Sequence, residues 1–479
     1  MKNKIFYITT TLPYVNADPH VGHAMEFIRA DVIARQKRIE GYEVFFNTGT
    51  DEHGVKIQRN AEMQGLTPQA FVDNASKKFR DLLSILGISK DIHFIRTTDK
   101  NHIEATKEFW KLCFNNGYIY KKNYKTKYCV GCELEKTDSE LVNGRCPTHP
   151  SLSIEEIEEE NYFFKFSEFQ KPLLEFFNRK KDFVIPNSRF NETKAFAERG
   201  LTDFSISRLK SKMSWGVEVP GDKDHVMFVW FDALVSYIST LGWPNDKKSF
   251  EKWWIESGGV VQYCGKDNLR QQSLMWQAML MASGIPNSQQ IVINGFVTGE
   301  GGIKMSKTLG NVIDPIAVVE EYGKDALRYF VLREIHPFED SPFTMEKFKE
   351  AYNAHLANGL GNLVSRVIKM AEVNNVFFSL KMEAVLSKEI IDLYNSYEIN
   401  KVCDKIWERI QAADKYIQEN EPFKTIKVNK DKGVEQINYL LSEVAHIGKL
   451  LEPILPDTAE KIEKAIKENR VGEPLFMRK

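Results

Sequence analysis

The chain has 479 residues, which is too long for one compact core, so two to four domains are expected. Its 65 basic and 66 acidic residues nearly cancel, which disfavours nonspecific coating of nucleic acid; we expect no DNA partner and a basic patch for any specific RNA. The sequence contains neither a targeting segment nor an apolar run of about 18 residues, which predicts a cytoplasmic protein with no membrane partner.

The first part of the chain predicts a parallel sheet with helices between its strands. Residues 5–11 form an apolar run typical of a buried strand, and an amphipathic helix is predicted over about 22–40. A second strand, residues 44–47, leads into the segment from Gly49 to Gly54. Strand, helix and strand in this order favour a right-handed βαβ unit, whose loops lie at the edge of the sheet where ligands bind.

A change of composition near residue 118 predicts an insertion. Basic residues over 121–127 are followed by three cysteines and by an acidic run over 155–160. The sheet is expected to resume at residues 226–230, 260–264 and 290–294. After about residue 343, helical apolar spacing over 356–373, 390–419 and 434–451 predicts a helix bundle.

The segment His20-Val21-Gly22-His23 follows the first predicted strand and opens the first helix. Its glycine allows the backbone to approach a ligand closely, and the helix N-terminus offers free N–H groups to anions. This arrangement suits the triphosphate of ATP as charge redistributes during attack at the α-phosphorus. Histidines beside a turn are common, so the motif is weak by itself.

A second motif, Lys304-Met305-Ser306-Lys307-Thr308, follows the glycine-rich segment from Gly299 to Ile303. The glycines predict a mobile loop, and two lysines three residues apart can close over phosphates. Taken alone, the segment is equally compatible with an exposed basic loop. Both motifs together, in this order and each after a predicted strand, form a specific pattern.

Cysteine spacing predicts a metal site. The candidate ligands form two pairs, Cys129 with Cys132 and Cys146 with His149, and two residues separate the members of each pair. Four such ligands in a tetrahedron leave no position for water, which predicts one structural Zn²⁺ per chain. Core thiols without metal are the alternative, and a catalytic zinc is disfavoured because no acid or base motif accompanies the cluster.

The histidine and lysine motifs resemble the two signatures of class I aminoacyl-tRNA synthetases. The resemblance implies an ATP-dependent ligase in which four side chains stabilise the transition state of amino-acid adenylation: His20, His23, Lys304 and Lys307. It implies that ATP, with Mg²⁺, is bound by His20, Gly22, His23, Gly265, Asp267 and Lys307. The second step, transfer to the 3′ end of tRNA, requires no further nucleophile from the protein.

Three segments are similar to methionyl-tRNA synthetases: residues 11–16, 229–233 and 265–267. The resemblance implies that L-methionine and tRNA(Met) are substrates, that Asp51 receives the α-ammonium group and that Arg208 orients Asp51. The implied methionine-binding residues are Leu12, Tyr14, Asp51, Arg208, Trp230, Ala233 and Tyr237. From spacing alone, Trp230 and Tyr237 share one helix face, and core packing is the favoured interpretation of both.

The sequence also departs from the family. Gln271 and Gln272 stand where many members have Phe-His, and Asn294 stands where they have His. The departures affect the expected pocket wall near Gln272 and the expected adenine contact near Asn294.

Residues 356–366 resemble the family segment that reads anticodon bases, which implicates Asn362 and Arg366. Phe423 stands where the family usually has a tryptophan that stacks on an anticodon base, and a core role is equally compatible with its position. The nearby lysines, from Lys424 to Lys432, suit either tRNA phosphates or a solvated face.

The resemblance implies an α/β fold with a Rossmann-like parallel-sheet catalytic domain and an all-α anticodon-binding bundle. The predicted boundaries place the two halves of the catalytic domain at 1–114 and 226–298, the zinc-bearing insertion at 115–225, the segment with the lysine loop at 299–342 and the bundle at 343–479. A monomer is expected, because no appended tRNA-binding domain follows the bundle.

The sequence disfavours three alternative classes of protein. Synthetases for leucine, isoleucine or valine carry a large editing domain, for which an insertion over 115–225 is too small. A cysteinyl enzyme would use zinc inside its amino-acid pocket. A noncatalytic tRNA-binding or zinc-ribbon module is disfavoured by the intact histidine and lysine motifs.

Overall fold

The computed structural model describes residues 4–132, 134–303, 305, 312–378 and 386–479. The chain divides into two compact units. The first unit comprises Met1–Pro19, Gly41–Asp81 and Lys90–Ile293, and the second comprises His20–Glu40, Leu82–Ser89 and Asn294–Lys479. Each unit is therefore assembled from three separate stretches of sequence.

The strands, in chain order, are β1 (Ile5–Thr10), β2 (Glu43–Thr50), β3 (His93–Arg96), β4 (Ile119–Cys129), β5 (Leu134–Lys136), β6 (Glu155–Phe164), β7 (Val184–Ile185), β8 (Phe204–Ser205), β9 (Ser207–Leu209), β10 (Glu218–Val219), β11 (Asp222–Met227), β12 (Val260–Gly265), β13 (Gln290–Asn294), β14 (Val297–Thr298) and β15 (Ser341–Pro342).

The α-helices are α1 (Val21–Ile39), α2 (Val55–Met63), α3 (Pro68–Ile85), α4 (Lys100–Asn115), α5 (Gln170–Arg179), α6 (Asn187–Glu198), α7 (Val229–Ala233), α8 (Ser236–Ser239), α9 (Lys247–Phe250), α10 (Trp276–Ser283), α11 (Pro315–Tyr322), α12 (Lys324–Tyr329), α13 (Met345–Ala351), α14 (Asn362–Asn374), α15 (Lys388–Asn395), α16 (Ile399–Asn420), α17 (Pro422–Val428), α18 (Lys430–Leu451) and α19 (Pro456–Glu468). Segments with the wider π-helical winding extend some of them: Glu251–Glu256, Gln271–Met275, Phe330–Glu334 and Tyr352–Gly361.

A six-stranded sheet in the order β3-β2-β1-β12-β13-β7 forms the centre of the first unit. The pairs β1–β2, β2–β3, β1–β12 and β7–β13 are parallel. Strand β1 is buried along its whole length, as expected for a strand covered on both faces. The carboxyl ends of β1, β2 and β12 therefore meet at one edge, and the α/β fold expected from the sequence is confirmed.

The expectation that the sheet resumes at residues 226–230 is wrong. Strand β11 pairs antiparallel with β9 and β10 in a separate small sheet, and α7 begins at Val229. The run from Val226 to Phe231 is apolar, and a short apolar run does not distinguish a buried strand from a buried helix. The strands predicted at 260–264 and 290–294 do belong to the main sheet as β12 and β13.

The basic and acidic runs of the insertion are two strands of one antiparallel ladder. Strand β4 pairs with β6 in a register that sets Lys125 opposite Glu158. Lys121 Nζ lies 3.2 Å from Glu160 Oε2, and Lys125 Nζ lies 3.3 Å from Glu156 Oε2. Each such exposed pair contributes less than about 1 kcal/mol, but together they neutralise the basic run.

Helix α1 lies in the second unit and is fastened there by buried charges. Arg29 donates to the carbonyl oxygens of Val331 (3.2 Å) and Ile335 (2.8 Å). The carboxylate of Asp31 lies 2.9 Å from Arg328, with both side chains fully buried. Burial acts to raise the pKa of Asp31, but Arg328 and other partners outweigh it and lower that pKa.

After Pro342, every element of the described residues is helical, which confirms the predicted helix-rich region. The range 390–419, for which the apolar spacing predicts helix, contains two helices, α15 and α16. Tyr397 lies between them, and this buried residue adopts a φ of 60°, a left-handed conformation that cannot continue a right-handed helix. None of the described helices combines the length and the apolar character needed to cross a bilayer.

Candidate functional site

The loops after β1 and β2 bring two predicted methionine-site residues together. The amide of Asp51 donates to the carbonyl of Pro13 (2.9 Å), and the amide of Val15 donates to the carbonyl of Asp51 (3.1 Å). These bonds continue the parallel pairing one step beyond the strands and set Asp51 opposite Tyr14. Asp51 and Leu12 are both buried at this edge.

The other predicted pocket residues follow β11. Ala233 and Tyr237 are buried and Trp230 is half-buried. Trp230 lies in α7, which ends at Ala233, and Tyr237 lies in α8, which begins at Ser236. The two residues between these helices, Leu234 and Val235, keep right-handed helical φ and ψ, and the expectation that Trp230 and Tyr237 share one helix face stays a prediction.

Arg208 on β9 is buried within the first unit. Its Nη1 lies 3.4 Å from Glu159 Oε1, and its guanidinium lies over the rings of Phe228 (4.5 Å) and Tyr128 (4.9 Å). Glu159 and the two rings hold the arginine in place. Its expected role in orienting Asp51 stays a prediction.

His20 and His23 lie at the N-terminus of α1. The Nδ1 of His20 accepts from the amide of Gly22 (3.1 Å), and the Nδ1 of His23 accepts from the amide of His20 (3.2 Å). The two rings are stacked with centroids 3.8 Å apart. Gly22 leaves room for the His20 ring in this position, since a Cβ would lie 2.9 Å from its Cε1.

These bonds determine what the imidazoles can do. A ring nitrogen that accepts a hydrogen bond carries no proton, so each neutral ring carries its proton on Nε2. Burial and the neighbouring His20 lower the pKa of His23 well below its ordinary value, which favours this neutral form. The arrangement presents two Nε2–H donors beside a helix N-terminus, a combination suited to an anion.

The remaining predicted ATP-site residues lie in two places. Gly265 ends β12, and Asp267 is exposed in the turn Lys266–Asn268 that follows it. Lys304 and Lys307 lie outside the described residues. The segment before them is a closed turn, in which the amide of Gly299 donates to the carbonyl of Ile303 (2.7 Å).

Asn294 and Gln272, the departures from the family pattern, both have defined partners. Asn294 Oδ1 accepts from Arg29 (3.0 Å) at the end of β13. Gln272 Nε2 donates to the hydroxyl of Tyr237 (2.6 Å), and its Oε1 accepts from Gln262 (2.6 Å). Gln272 therefore contacts a predicted pocket residue directly.

Cys129, Cys132, Cys146 and His149 converge as their spacing predicts. Their ligand atoms all lie within 4.8 Å of one another. Cys132 Sγ lies 3.5 Å from Cys146 Sγ and 3.3 Å from His149 Nδ1. Around a tetrahedral zinc, with Zn–S bonds of about 2.3 Å, sulfurs lie about 3.8 Å apart, so the four residues fit one metal ion.

Gly131 allows this convergence. A Cβ at position 131 would lie 2.3 Å from Cγ of His149, so any residue other than glycine at this position would displace the imidazole. The glycine is thus part of the cluster's geometry, although spacing alone did not single it out.

Sequence reasoning missed a buried cluster formed by Asp232 with His53 and His102. Asp232 Oδ2 lies 2.5 Å from His53 Nδ1, and Oδ1 lies 2.9 Å from His102 Nε2. A signal was present, because a carboxylate inside an apolar run is costly to bury unless it is paired.

The predicted anticodon residues lie on the helices of the second unit. Asn362 is exposed at the start of α14, and Arg366 follows one turn later with its Nη1 3.0 Å from Asp414 Oδ1. Phe423, in α17, is 42% exposed, so it is not a core residue. The stacking interpretation of Phe423 is therefore favoured over the packing one.

Two family models cover most of the chain. One, described as "tRNA synthetases class I (M)", matches residues 6–158 and 151–368, and the other, described as "Anticodon binding domain of methionyl tRNA ligase", matches residues 380–475. The chain belongs to the class I aminoacyl-tRNA synthetases.

Similar proteins identify the family within this class. Proteins named methionine–tRNA ligase from Thermosynechococcus vestitus and Rickettsia bellii are 40% and 39% identical over 95% and 96% of this chain, and the matches cover 89% and 92% of theirs. A solved structure of Mycobacterium tuberculosis methionyl-tRNA synthetase in complex with methionyl-adenylate matches with a TM-score of 0.90 and 33% identity, covering 99% of this chain and 97% of that one. Within its class, the chain belongs to the methionyl-tRNA synthetase family.

Proposed function

We propose that this chain joins L-methionine to ATP, as methionyl-adenylate with release of pyrophosphate, and then transfers the methionyl group to the 3′ end of tRNA(Met). The observation that carries the proposal is the paired imidazoles of His20 and His23 at the start of α1. Membership of the family, and the related structure in complex with methionyl-adenylate, support the choice of amino acid.

On the ATP side, the negative charge of the triphosphate shifts as the methionine carboxylate attacks the α-phosphorus. The Nε2–H groups of His20 and His23 stabilise this charge without reorganising, because backbone amides already fix both rings. Lys304 and Lys307 supply positive charge to the phosphates, with Mg²⁺ entering as part of the substrate. Asp267, with Gly265 beside it, accepts hydrogen bonds from the ribose.

On the methionine side, the carboxylate of Asp51 receives the α-ammonium group as a charge-assisted partner. The bonds from its backbone to residues 13 and 15 fix its position, and Arg208 orients its side chain. The pocket for the thioether side chain is walled by Leu12, Tyr14, Trp230, Ala233 and Tyr237. Aromatic neighbours suit a polarisable sulfur, which supports methionine over a branched side chain.

For tRNA, we assign Asn362, Arg366 and Phe423 to the anticodon. The first two offer polar groups to unpaired base edges, and the exposed ring of Phe423 offers a stacking surface. Lys424 belongs to an exposed basic segment beside this ring, where phosphates would pass.

We assign one structural Zn²⁺ to Cys129, Cys132, Cys146 and His149. The distances among their ligand atoms support four-coordinate binding, and the ion would hold the insertion together. The insertion would then be placed near the acceptor end of tRNA. The proposal also includes the domain boundaries predicted from the sequence, a cytoplasmic location and a monomeric state. Light scattering after size-exclusion chromatography tests the monomeric state.

Exchange of labelled pyrophosphate into ATP tests the proposed function. With each amino acid in turn and no tRNA, exchange is expected with methionine alone. Exchange with leucine, isoleucine, valine or cysteine would indicate a related ligase. No exchange with any amino acid, together with retained tRNA binding, would establish the noncatalytic tRNA-binding module instead.

A further inference from the structure

We infer that His53 and Asp232 are positioning residues for methionine, whose mutual hydrogen bond fixes the α7 wall of the pocket relative to the segment that carries Asp51. The inference rests on the proposed methionine site and adds two residues that are not among its predicted binding residues. It is carried by a buried contact between two parts of the first unit.

The contact is a charge-assisted one. Asp232 is fully buried, and its two oxygens lie 2.5 Å from His53 Nδ1 and 2.9 Å from His102 Nε2. Burial acts to raise the pKa of Asp232, but the two histidines outweigh it and hold that pKa well below its usual range. An ionised carboxylate accepts only, so both imidazoles donate to it through these nitrogens.

Helix α7 needs such an anchor. It is five residues long, and a helix of this length does not hold its own conformation in water. Asp232 stands between two proposed wall residues, Trp230 and Ala233, so whatever fixes the Asp232 side chain also limits how the wall can shift. The ring of Phe231, packed against Phe109 at 5.8 Å, supplies apolar contact that is less directional.

The other end of the contact is rigid. His53 follows Asp51 by two residues, and Glu52 between them is held by two bonds from Arg96, at 2.7 and 3.0 Å. The indole of Trp215 donates to the carbonyl of Glu52 (2.6 Å). His53 thus connects α7 to a segment whose position is already fixed by other hydrogen bonds, so the contact limits any shift of α7.

His102 provides a second connection. Its Nδ1 lies 2.8 Å from the hydroxyl of Ser239, on the helix α8 that also carries Tyr237. Asp232 therefore joins α7, α8 and the Asp51 segment through its two oxygens. The proposed partner of the methionine ammonium group and the proposed pocket residues for its side chain are therefore fixed relative to one another. Loss of this arrangement should weaken methionine binding more than ATP binding.

Two substitutions of one residue separate positioning from packing. In His53→Asn, the amide nitrogen falls near the place of imidazole Nδ1 and keeps a donor for Asp232. In His53→Gln, the amide falls near the place of Nε2 and the contact is lost. We expect His53→Gln to weaken methionine binding in equilibrium dialysis, and to raise KM for methionine in exchange, by about tenfold, with KM for ATP within about twofold of wild type. His53→Asn should recover most of the loss.

Asp232→Asn provides a second test, because it keeps the shape and removes the charge; it should reproduce the rise in KM for methionine. Equal methionine binding by wild type and all three folded variants would overturn the inference and leave the proposed function intact. Equal loss in His53→Asn and His53→Gln, or an equal rise in KM for ATP, would also overturn it. If wild type itself binds no methionine, the proposed function fails and the inference falls with it.

Discussion

Gln272 donates a hydrogen bond of 2.6 Å to the hydroxyl of Tyr237 and accepts one of 2.6 Å from Gln262. All three side chains are buried, so the central amide satisfies two groups that water does not reach. The acceptor end of Gln272 faces Gln262, which fixes its donor end toward Tyr237. An amide does not titrate, and this bridge therefore persists across the whole physiological pH range.

Gln272→Leu should lower the free energy of unfolding by about 2 kcal/mol or more, because it leaves Gln262 and Tyr237 without their buried partner. Gln272→His should lose less, since a neutral imidazole offers one donor and one acceptor. Urea denaturation measures both, with the exposed Gln64→Leu as control. Equal stability of the Leu and His variants would contradict the bridging role.

Zinc content should follow the cysteine cluster. Wild type is expected to bind about one zinc per chain, and Cys132→Ser to bind much less, because a neutral hydroxyl is a poor substitute for a thiolate. Cys403→Ser, in a buried thiol of α16, is the matched control and should keep the metal. Metal analysis of the purified proteins measures this, and a metal-free wild type would refute the assignment.

Lys307→Ala should reduce the rate of pyrophosphate exchange by about 100-fold, as expected when a group that stabilises transition-state charge is removed. Methionine binding, measured by equilibrium dialysis, should stay close to wild type. Lys77→Ala removes an exposed lysine of α3 and should change neither quantity. An unaltered exchange rate in Lys307→Ala would show that the lysine loop has been misassigned.

Acid should destabilise the chain partly through His23. Burial and His20 lower the pKa of His23 in the folded chain, whereas the unfolded chain titrates near the ordinary value of about 6.5. Above that pH the ring is neutral in both states, and the lowered pKa has no effect on stability. As the pH falls below it, the unfolded chain binds a proton that the folded chain does not, so the free energy of unfolding falls. Between about pH 7 and 5, the free energy of unfolding should fall less steeply in His23→Gln than in wild type, as urea titrations would measure. Parallel curves would be inconsistent with the lowered pKa.

Arg366→Gln should weaken tRNA(Met) binding by about tenfold, in the range expected for a lost base contact, and leave tRNA-independent pyrophosphate exchange unchanged. Filter binding and exchange measure the two effects. Lys464→Ala, an exposed lysine of α19, is the control for general loss of positive charge. If Arg366→Gln binds tRNA(Met) as wild type does, the anticodon assignment of this residue is wrong.

The sequence predicted most of the framework because periodicity and spacing are local properties. Strand β13 has the predicted bounds, and the Cys129 to His149 cluster converges as its spacing requires. The same reasoning failed at residues 226–230, where an apolar run fits a strand or a helix equally well. Only pairing with distant segments decides between them.

The contacts of Gln272, Asn294 and Asp232 were not predictable in the same way. Asp232 meets His53, which is 179 residues away in the sequence, and Asn294 meets Arg29, which is 265 residues away. No spacing rule links residues so far apart. The exposure of Phe423 likewise depends on how α17 packs, which its own seven residues do not determine.

The burial of Asp31 against Arg328 restricts how this chain can be divided. A fragment that starts at Asn294 would keep the buried arginine and lose its carboxylate, at a cost of about 3 to 5 kcal/mol. Such a fragment is expected to unfold or aggregate when expressed alone. Any truncation that starts between Asn294 and Arg328 would therefore need residues 20–40 as well, and His20 and His23 would be carried with them.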